Sequence, residues 1–485
     1  MTDENKSIQP QLVRSMKLRD LIFFNVAAVL GLRHLATSAS FGAGSLVLWV
    51  LAALLFFIPQ GLAVVELSSR FPNEGGIYDW TKRALGEGHG FLCGWCYWIS
   101  NAPYYPSLLL SAAVISTYVL GKGESELSQS WPYVLSVTLI SLWLAVALNI
   151  IGLSAGKWLQ NIGAMSTYIL GVVIILFGVI GVLSEAPANP FTAQTLIPDF
   201  GNLGSLNLLA SVAFAFAGIE LIATMGGEIE NPRRNLPRSV FLAAPLIALA
   251  YVLGAGAVLW LVPVGQINVV SGFLQAISIG AQRLSAELWW IAPVCAALYV
   301  IGIIGGVGAW LIGPARVAFV IGLDRYFPAW FGRVHQRWRT PYAAILVQAA
   351  LATGFLLISV LGRGTKVEEV YLILLDTQLL VYFIPFVYLF VAFLIHRNKT
   401  EPSGDVTLVP GGKLGGWLIG LSGLAVTLFA MIVALIPPGS SANRWLFFLK
   451  VIGGALAFVA VGGVIYFRST VKTAFKSYIK FPIRY

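Results

Sequence analysis

The chain has 485 residues, of which 58% are hydrophobic and only 11% are charged, and its formal net charge is +10. Soluble chains carry about 25% charged residues, and the apolar residues here come in long runs, which excludes a soluble globular protein. The composition predicts an all-α polytopic membrane protein. We attribute the basic excess to membrane topology rather than to nucleic-acid binding.

The apolar runs predict about twelve transmembrane helices. Residues 1–20 are polar and basic without a cleavable signal, so we expect a cytoplasmic N-terminal segment followed by a first span that is itself the insertion signal. Residues 21–396 hold ten spans, 397–468 hold spans eleven and twelve, and 469–485 form a basic tail. The spans are predicted near 21–41, 46–69, 90–120, 131–151, 158–183, 204–224, 240–263, 286–321, 342–361, 368–396, 414–436 and 445–467.

The basic residues are distributed unevenly between the two sides that these spans define. With the N-terminus inside, 24 of the 31 Lys and Arg residues fall on the cytoplasmic side, five fall in outer loops and two lie in spans. This bias predicts an integral plasma (inner) membrane protein with both termini in the cytoplasm. In the tail, Lys472, Lys476 and Lys480 would share one helical face beside anionic lipid headgroups; a tail that only sets the topology is the alternative.

Two of the predicted spans are interrupted. The first contains Gly31, Arg33 and His34 at mid-span, and the sixth contains Gly218 followed by Glu220. Glycine weakens a helix, so backbone groups would be freed there to bind a ligand. The two spans hold matching positions in two five-helix halves, which indicates a transporter site between inverted repeats.

Glu220 lies deep in an apolar run, where a charge costs about 2.5–3.5 kcal/mol on insertion scales and usually faces the protein interior. Burial suits a carboxyl group to reversible protonation, so Glu220 is predicted to carry a proton or to bind a cation. The alternative is a structural acid that is hydrogen-bonded to backbone groups freed by the break.

Three motifs resemble those of the amino acid–polyamine–organocation (APC) family, and the likeness covers residues 18–468. They are FAFAGIE with GGEIENPRRNLPRS in and after the sixth span, ELSSRFPNEGGIY after the second, and GPARVAF with DRYFP at the end of the eighth. The resemblance implies ten core helices in two inverted repeats of five, two peripheral helices, and alternating access around a central site. It extends to bacterial amino acid and polyamine antiporters and permeases.

The match to the arginine–agmatine antiporter branch of that family is made residue by residue. The segment from Trp98 to Asn101 is similar to a third-helix segment that contacts substrate in that branch. Phe214 falls at the position of an aromatic lid, and Glu220 falls at that of an acidic residue. Trp310 falls at the position of a tryptophan that layers against substrate.

Two departures from the family pattern concern the site. The family usually has a Gly-Ser-Gly cluster at the first break, whereas this chain keeps only Gly31 and then has Arg33 and His34. Binding of a substrate carboxylate by bare backbone amides is therefore not expected. Thr167 stands where many proton-coupled relatives carry a lysine in helix five.

The polar residues of the site have competing roles. Arg33 either clamps a substrate carboxylate or forms an ion pair with Glu220 or Asp376. His34 titrates near neutral pH, but a satisfied interior histidine is the simpler interpretation. Asp376 lies either near the outer end of the site or in a helix-packing hydrogen bond, and Glu66 is expected to pair with a cytoplasmic arginine in a gate. We assign Gly31, Arg33, Cys96, Asn101, Phe214, Ala217, Gly218, Trp310 and Asp376 to substrate binding, and Glu220, His34 and Glu66 to proton coupling or gating.

Helix eight has no Ser or Thr between Tyr299 and Arg316. Because hard cations take oxygen ligands, this argues against a sodium site there. Gly302 and Gly306 form a GxxxG pattern that would let helices approach closely. Trp310 and Phe214 either cover the bound substrate or are ordinary aromatic side chains packed in the protein interior.

The sequence thus predicts a secondary active transporter of amino acids or related amines, driven by protons or by exchange and not by sodium, and not an enzyme. A polyamine or cationic amine carrier is one alternative, and a non-transporting membrane sensor that keeps the fold is another. The expected partners are the small-molecule substrate, protons and anionic lipids, and the chain is expected to be a monomer or a homodimer. No cofactor, metal or nucleic acid is expected; Cys93, Cys96 and Cys295 lie in apolar segments, so no disulfide framework is implied.

Overall fold

The computed structural model describes residues 14–121, 126–151, 153–184, 186–201, 203–360, 367–399, 406–435 and 444–479, which are mostly helical and form no strand. The α-helices are α1 (Leu18–Val29), α2 (Arg33–Ala39), α3 (Gly44–Ala52), α4 (Ile58–Arg70), α5 (Ile77–Leu85), α6 (Glu87–Ile99), α7 (Asn101–Val119), α8 (Trp131–Ile151), α9 (Leu153–Ser184), α10 (Ala193–Leu196), α11 (Leu203–Ala215), α12 (Pro232–Leu261), α13 (Gly272–Leu284), α14 (Ile291–Leu323), α15 (Tyr342–Val360), α16 (Val367–Lys399), α17 (Gly412–Val433) and α18 (Arg444–Ile479).

Within the described ranges, eight helices are long and apolar enough to cross a membrane, and α1 with α2 forms a ninth span that is bent by 41°. The other three predicted spans correspond to α6 with α7, to α11 with the turns that follow it, and to α15. The prediction of an all-α polytopic membrane protein is confirmed. α18 continues into the basic tail, where the Lys472 and Lys476 side chains and residue Lys480 lie outside the described part.

Proline explains two departures from the predicted continuous spans. The third span divides at Ser100, because Pro103 has no N–H to donate to the Ile99 carbonyl one turn earlier. The second span is π-helical over Ala53–Phe57, next to Pro59, which likewise cannot donate to the preceding turn. Helix continues on both sides of each of these points.

Both predicted interruptions are present. Residues 30–32 separate α1 from α2, and residues 216–220 form turns between α11 and a short 3₁₀-helix, Leu221–Thr224. Gly218 has a φ of 121°, a conformation that side chains with a Cβ rarely adopt. A Cβ on Gly218 would also lie 3.0 Å from the Trp310 ring, so the second break needs glycine for space as well as for conformation.

One end of the bundle holds most of the basic residues that the structure describes, and we call it the basic end. It comprises residues 14–17, 66–90, 225–234, 316–341, 397–399 and 406–413. Backbone bridges between Met16 and Ile229 and between Glu74 and Met225 join its segments. Three helices that the apolar pattern did not predict, α5, α10 and α13, are shorter than a span, and α5 lies at the basic end.

α9 and α14 approach each other closely through glycines. A Cβ added to Gly163 would lie 2.6 Å from the Gly305 Cα, and one on Gly302 would lie 2.8 Å from the Thr167 hydroxyl oxygen. A Cβ on Gly306 would lie 3.1 Å from the Ala27 carbonyl oxygen of α1. The GxxxG prediction is thus confirmed, and the contacts bring α1, α9 and α14 together beside the first break.

We expect Gly163→Ala to lower the free energy of unfolding by about 1–3 kcal/mol, because the added methyl group meets backbone that must move. Gly171→Ala, in the same helix, is the matched control, since its Cβ would have nothing within 4 Å. Both substitutions improve helix propensity equally. Thermal unfolding of the purified protein measures the difference, and equal melting temperatures for the two variants would contradict the packing role.

Candidate functional site

A small cavity lies where the two helix breaks meet. One wall is formed by residues 27–34, which include the first break, and another by Phe214, Ala215 and Ala217 at the second. The remaining walls are side chains and backbone of α7, α9, α14 and α16, namely Tyr104, Leu108, Thr167, Tyr299, Gly302, Ile303, Gly306, Trp310 and Tyr382. The sequence prediction of a site between spans one and six therefore coincides with an actual cavity.

Tyr251 of α12 ties the two breaks together. Its hydroxyl group lies 2.6 Å from the Val29 carbonyl oxygen and 3.0 Å from the Ala215 carbonyl oxygen, and it accepts from the Gly31 N–H at 2.9 Å. One buried hydroxyl group thus serves freed backbone groups on both helices. Such groups cost several kcal/mol when they are left unpaired away from water.

Trp310 of α14 serves a further freed group. Its indole N–H donates to the Ala28 carbonyl oxygen at 2.9 Å, so the ring lies across the first break. The indole ring makes edge-to-face contacts with the rings of Tyr104 and Tyr382, whose centroids lie 4.9 and 5.5 Å from its own. Trp310 is therefore both a cavity wall and a hydrogen-bond partner of the break, which makes packing and occlusion compatible roles.

The Glu220 carboxylate is fully buried just beyond the second break and accepts four hydrogen bonds. Its Oε2 accepts from Gln60 Nε2 at 2.8 Å and from the Gly218 N–H at 3.0 Å. Its Oε1 accepts from the hydroxyl groups of Tyr97, at 3.0 Å, and Tyr382. Since α4, α6 and α16 each supply one donor, this carboxylate joins the sixth-span break to three other helices.

The two carboxylate oxygens of Glu220 differ in how they can take up a proton. The N–H groups of Gln60 and Gly218 can only donate, so a proton on Oε2 would face two donors. The hydroxyl groups of Tyr97 and Tyr382 can donate or accept, so a proton on Oε1 needs only one hydroxyl group to turn. Oε1 is the atom at which protonation disrupts the fewest hydrogen bonds.

Arg33 and His34 lie together in the cavity wall. Arg33 is 1% exposed, its guanidinium carbon lies 5.5 Å from the Tyr104 ring centre, and its Nε donates to His34 Nε2 at 3.3 Å. A ring nitrogen that accepts a hydrogen bond carries no proton, so His34 is neutral in this arrangement. The Nε2 atom of His34 thus has a partner, and a part for His34 in coupling or gating remains a prediction.

The predicted ion pair between Arg33 and Glu220 is not formed. The partners of the Glu220 oxygens come from Gln60, Tyr97, Gly218 and Tyr382. The Asp376 side chain lies outside the described part, so the alternative ion pair between Arg33 and Asp376 stays a prediction.

The other residues assigned to substrate divide into two groups. Gly31, Arg33, Phe214, Ala217 and Trp310 line the cavity, as does His34, and Gly218 lies against the Trp310 ring. Cys96, a buried free thiol, and Asn101 are absent from the cavity lining, and Asn101 instead donates to the Tyr97 carbonyl oxygen of its own chain segment at 2.9 Å. From this part of the chain the cavity is lined instead by Tyr104 and Leu108 of α7.

Glu66 lies away from the cavity, at the basic end. It is 1% exposed and forms ion pairs with Arg70, at 2.9 Å, and with Arg397. It also accepts from the Val409 N–H at 2.9 Å. These bonds join the end of α4 to the end of α16; a gating role for Glu66 remains a prediction.

Several site residues had no distinct signal in the sequence. Gln60, Tyr97 and Tyr382 bind Glu220, and Tyr251 binds both breaks, yet each is a single polar side chain in an apolar span. A polar group at that depth is itself a weak indication of function. With 17 tyrosines in the chain, this indication does not select these three tyrosines from the others.

Comparisons with known proteins place this chain in a wider group. The family profile described as amino acid permease matches residues 16–458. An uncharacterized transporter of Legionella pneumophila is 33% identical over 91% of this chain and 94% of its own. A probable agmatine/putrescine antiporter of Lactococcus lactis is 23% identical over 89% and 90%, and a glutamate/gamma-aminobutyrate antiporter of the same species is 23% identical over 81% and 78%.

We expect Tyr251→Phe to lower the free energy of unfolding by about 1–3 kcal/mol, because it leaves buried carbonyl and N–H groups at both breaks unpaired. Tyr133→Phe is the control, since the Tyr133 hydroxyl group bonds only to Ser116 at a partly buried position among the described residues. Thermal unfolding of both purified variants provides the measurement. If Tyr251→Phe costs no more than Tyr133→Phe, Tyr251 does not tie the breaks.

Proposed function

The chain belongs to the amino acid permease family, within the APC group, and from this premise we propose that it moves amino acids or related amines across the plasma membrane by alternating access. It is an integral membrane protein of a transporter family. The basic end would face the cytoplasm, since positively charged loops are retained on that side, and both termini would lie there.

The observation that carries the proposal is the placement of Glu220. It follows the break in chain order toward the basic end, next to a cavity wall, and its four donors come from its own break and from three other helices. Any movement of the sixth-span break against α4, α6 or α16 changes the number of donors. A proton on Oε1 would then be favoured in one conformation and lost in the other, which is what coupling to transport requires.

Arg33 is the proposed partner of a substrate carboxylate. It lies in the cavity wall, and a guanidinium group can bind a carboxylate with two parallel hydrogen bonds. Phe214, Trp310 and Tyr382 would cover the bound molecule, because their rings surround the same cavity. A small cavity with one guanidinium group and a cover of aromatic rings suits a small zwitterionic or anionic amino acid.

A cationic amine is the second candidate substrate. The observation in its favour is the similarity to a probable agmatine/putrescine antiporter, at 23% identity. The buried guanidinium group of Arg33 opposes it, since like charges repel strongly in a cavity with little water. The two candidates therefore differ in the effect expected on removing the Arg33 charge.

We expect Glu220→Gln to bind and exchange substrate but to fail to accumulate it against a gradient. Glutamine keeps the size of the side chain and some of its hydrogen bonds, and it holds the site permanently neutral. The measurement is uptake into proteoliposomes in potassium buffer without sodium, with an inward proton gradient or with substrate inside. The substrate is the amino acid or amine that most stabilises the protein in a thermal-shift screen.

Glu126→Gln serves as the control for Glu220→Gln, because it removes an exposed carboxylate on a loop remote from the cavity. It should accumulate substrate as the wild type does. Wild-type accumulation by Glu220→Gln would show that Glu220 is structural. If transport by the wild type strictly required sodium, the proposal that protons rather than sodium drive transport would be wrong.

We expect Arg33→Ala to weaken binding of carboxylate-bearing ligands roughly ten- to hundredfold, the loss typical of hydrogen bonds to a charged group. Decarboxylated analogues should lose little affinity or gain some. Arg33→Lys keeps the charge but loses the planar pair of donors, so its affinity for carboxylate-bearing ligands should lie between those of the wild type and Arg33→Ala. Titration of both ligand classes against each variant gives the measurement, and equal loss for both classes would favour an internal ion pair for Arg33.

A further inference from the structure

The basic end is closed by backbone contacts onto the segment that follows the second break, residues 225–231. The N-terminal segment reaches it through the Ser15 and Met16 N–H groups, which donate to the Glu228 carbonyl oxygen at 2.9 and 3.1 Å. The loop 71–76 reaches it from the other side through the bridge between Glu74 and Met225, and the Gly75 N–H donates to the adjacent Thr224 carbonyl oxygen at 3.0 Å. Gly226 has no room for a Cβ, which would lie 2.4 Å from the Pro72 carbonyl oxygen.

A buried ion pair lies within this closure. The Glu228 and Arg316 side chains are 0% and 1% exposed, and Glu228 Oε1 accepts from Arg316 Nη2 at 2.6 Å. The second oxygen of Glu228, Oε2, is buried without a hydrogen-bond partner in the described structure, and so is Arg316 Nε. Buried polar atoms of this kind are rare and call for an explanation.

A second carboxyl group lies beside this pair. Glu74 Oε2 accepts from the Gly227 N–H at 2.7 Å, while Glu74 Oε1 is buried with no partner among the described residues. Two acids therefore share one arginine, and that arginine is bonded to Glu228. A proton on Glu74 would relieve the repulsion between the two carboxylates and would give the unpartnered carboxyl group a hydrogen to donate.

We propose that Glu74 and Glu228 together bind one proton, and that this proton holds the basic end closed. The site is separate from Glu220, which lies beyond the 3₁₀-helix Leu221–Thr224 and has its own four donors. It rests on the proposed function only in that closure of this end is one step of alternating access. Loss of the proton leaves two buried carboxylates with one guanidinium group, which favours separation of the loop 71–76 from the segment 225–231.

The direction of the pH effect follows from the two conformations. In the closed end, burial and then the Glu228 charge raise the pKa of Glu74 to about 8, although Arg316 and the Gly227 N–H oppose this. Among described groups, Glu228 and Arg316 are the ionisable side chains that act on Glu74; Lys82 of the adjoining α5 is paired with Asp324 and Glu87. In the open end, water returns the pKa of Glu74 toward its ordinary value near 4.5. Closing therefore takes up a proton between these values, so closure weakens as pH rises and the effect levels off above about pH 8.

Hydrogen–deuterium exchange of the full chain in detergent tests this without any substrate. The peptides to follow are those covering 71–78 and 223–230, which contain the amides of the closure. Wild type is compared with Glu74→Gln at each pH from 6 to 9, because the ratio cancels the intrinsic pH dependence of exchange. Glutamine keeps an acceptor for the Gly227 N–H, adds N–H groups that can donate and stays neutral at every pH, so it imitates protonated Glu74.

We expect exchange of these peptides in the wild type, relative to Glu74→Gln, to rise by up to about tenfold per pH unit and to level off above about pH 8. A ratio that does not change with pH would overturn the proposal. Glu228→Gln should move the rise to lower pH, because it removes the neighbouring charge and frees Arg316 for Glu74; an unmoved rise would also contradict it. Glu126→Gln should behave as the wild type, and Glu220→Gln should keep the rise, which separates this site from the coupling carboxylate.

Discussion

The rest of the structure depends on the need to pair the backbone groups that two broken helices release inside a membrane protein. A freed carbonyl or N–H group there has no water to bind and costs several kcal/mol if it stays unpaired. Side chains from elsewhere supply the partners: Tyr251 for Gly31, Val29 and Ala215, and Trp310 for Ala28. The breaks are thus stable only together with α12 and α14, and the cavity is the space that remains between these partners.

Glu220 shows that structural and functional interpretations of a buried acid need not compete. It accepts from the freed Gly218 N–H, as a purely structural acid would, and also from three side chains on three helices. Because those helices supply the donors, a relative movement changes the stability of its charged form. The same hydrogen bonds that hold the break in place would therefore link its conformation to a proton. At the basic end, Glu74, Glu228 and Arg316 repeat this principle with two acids and a guanidinium group.

Local signals in the sequence were sufficient to predict the spans, both breaks and the position of Glu220. Gly218 and the charges of Arg33 and Glu220 stand out in apolar runs, and the structure interrupts the helices there. The partners of Glu220 could not be predicted, because Gln60, Tyr97 and Tyr382 are 160, 123 and 162 residues away and nothing local distinguishes them. Cys96 and Asn101 are absent from the cavity lining, and their assignment to substrate remains a prediction.

The central claim is that a proton binds the Glu220 carboxyl group and that substrate changes its occupancy. Infrared difference spectroscopy of substrate binding to the purified protein tests it most directly, through the carbonyl stretch of a protonated carboxyl group. The account predicts that substrate alters such a band in the wild type and in Glu74→Gln, and that the altered band is missing in Glu220→Gln. A band change that persists unaltered in Glu220→Gln would contradict the account, because the proton would then reside on another group.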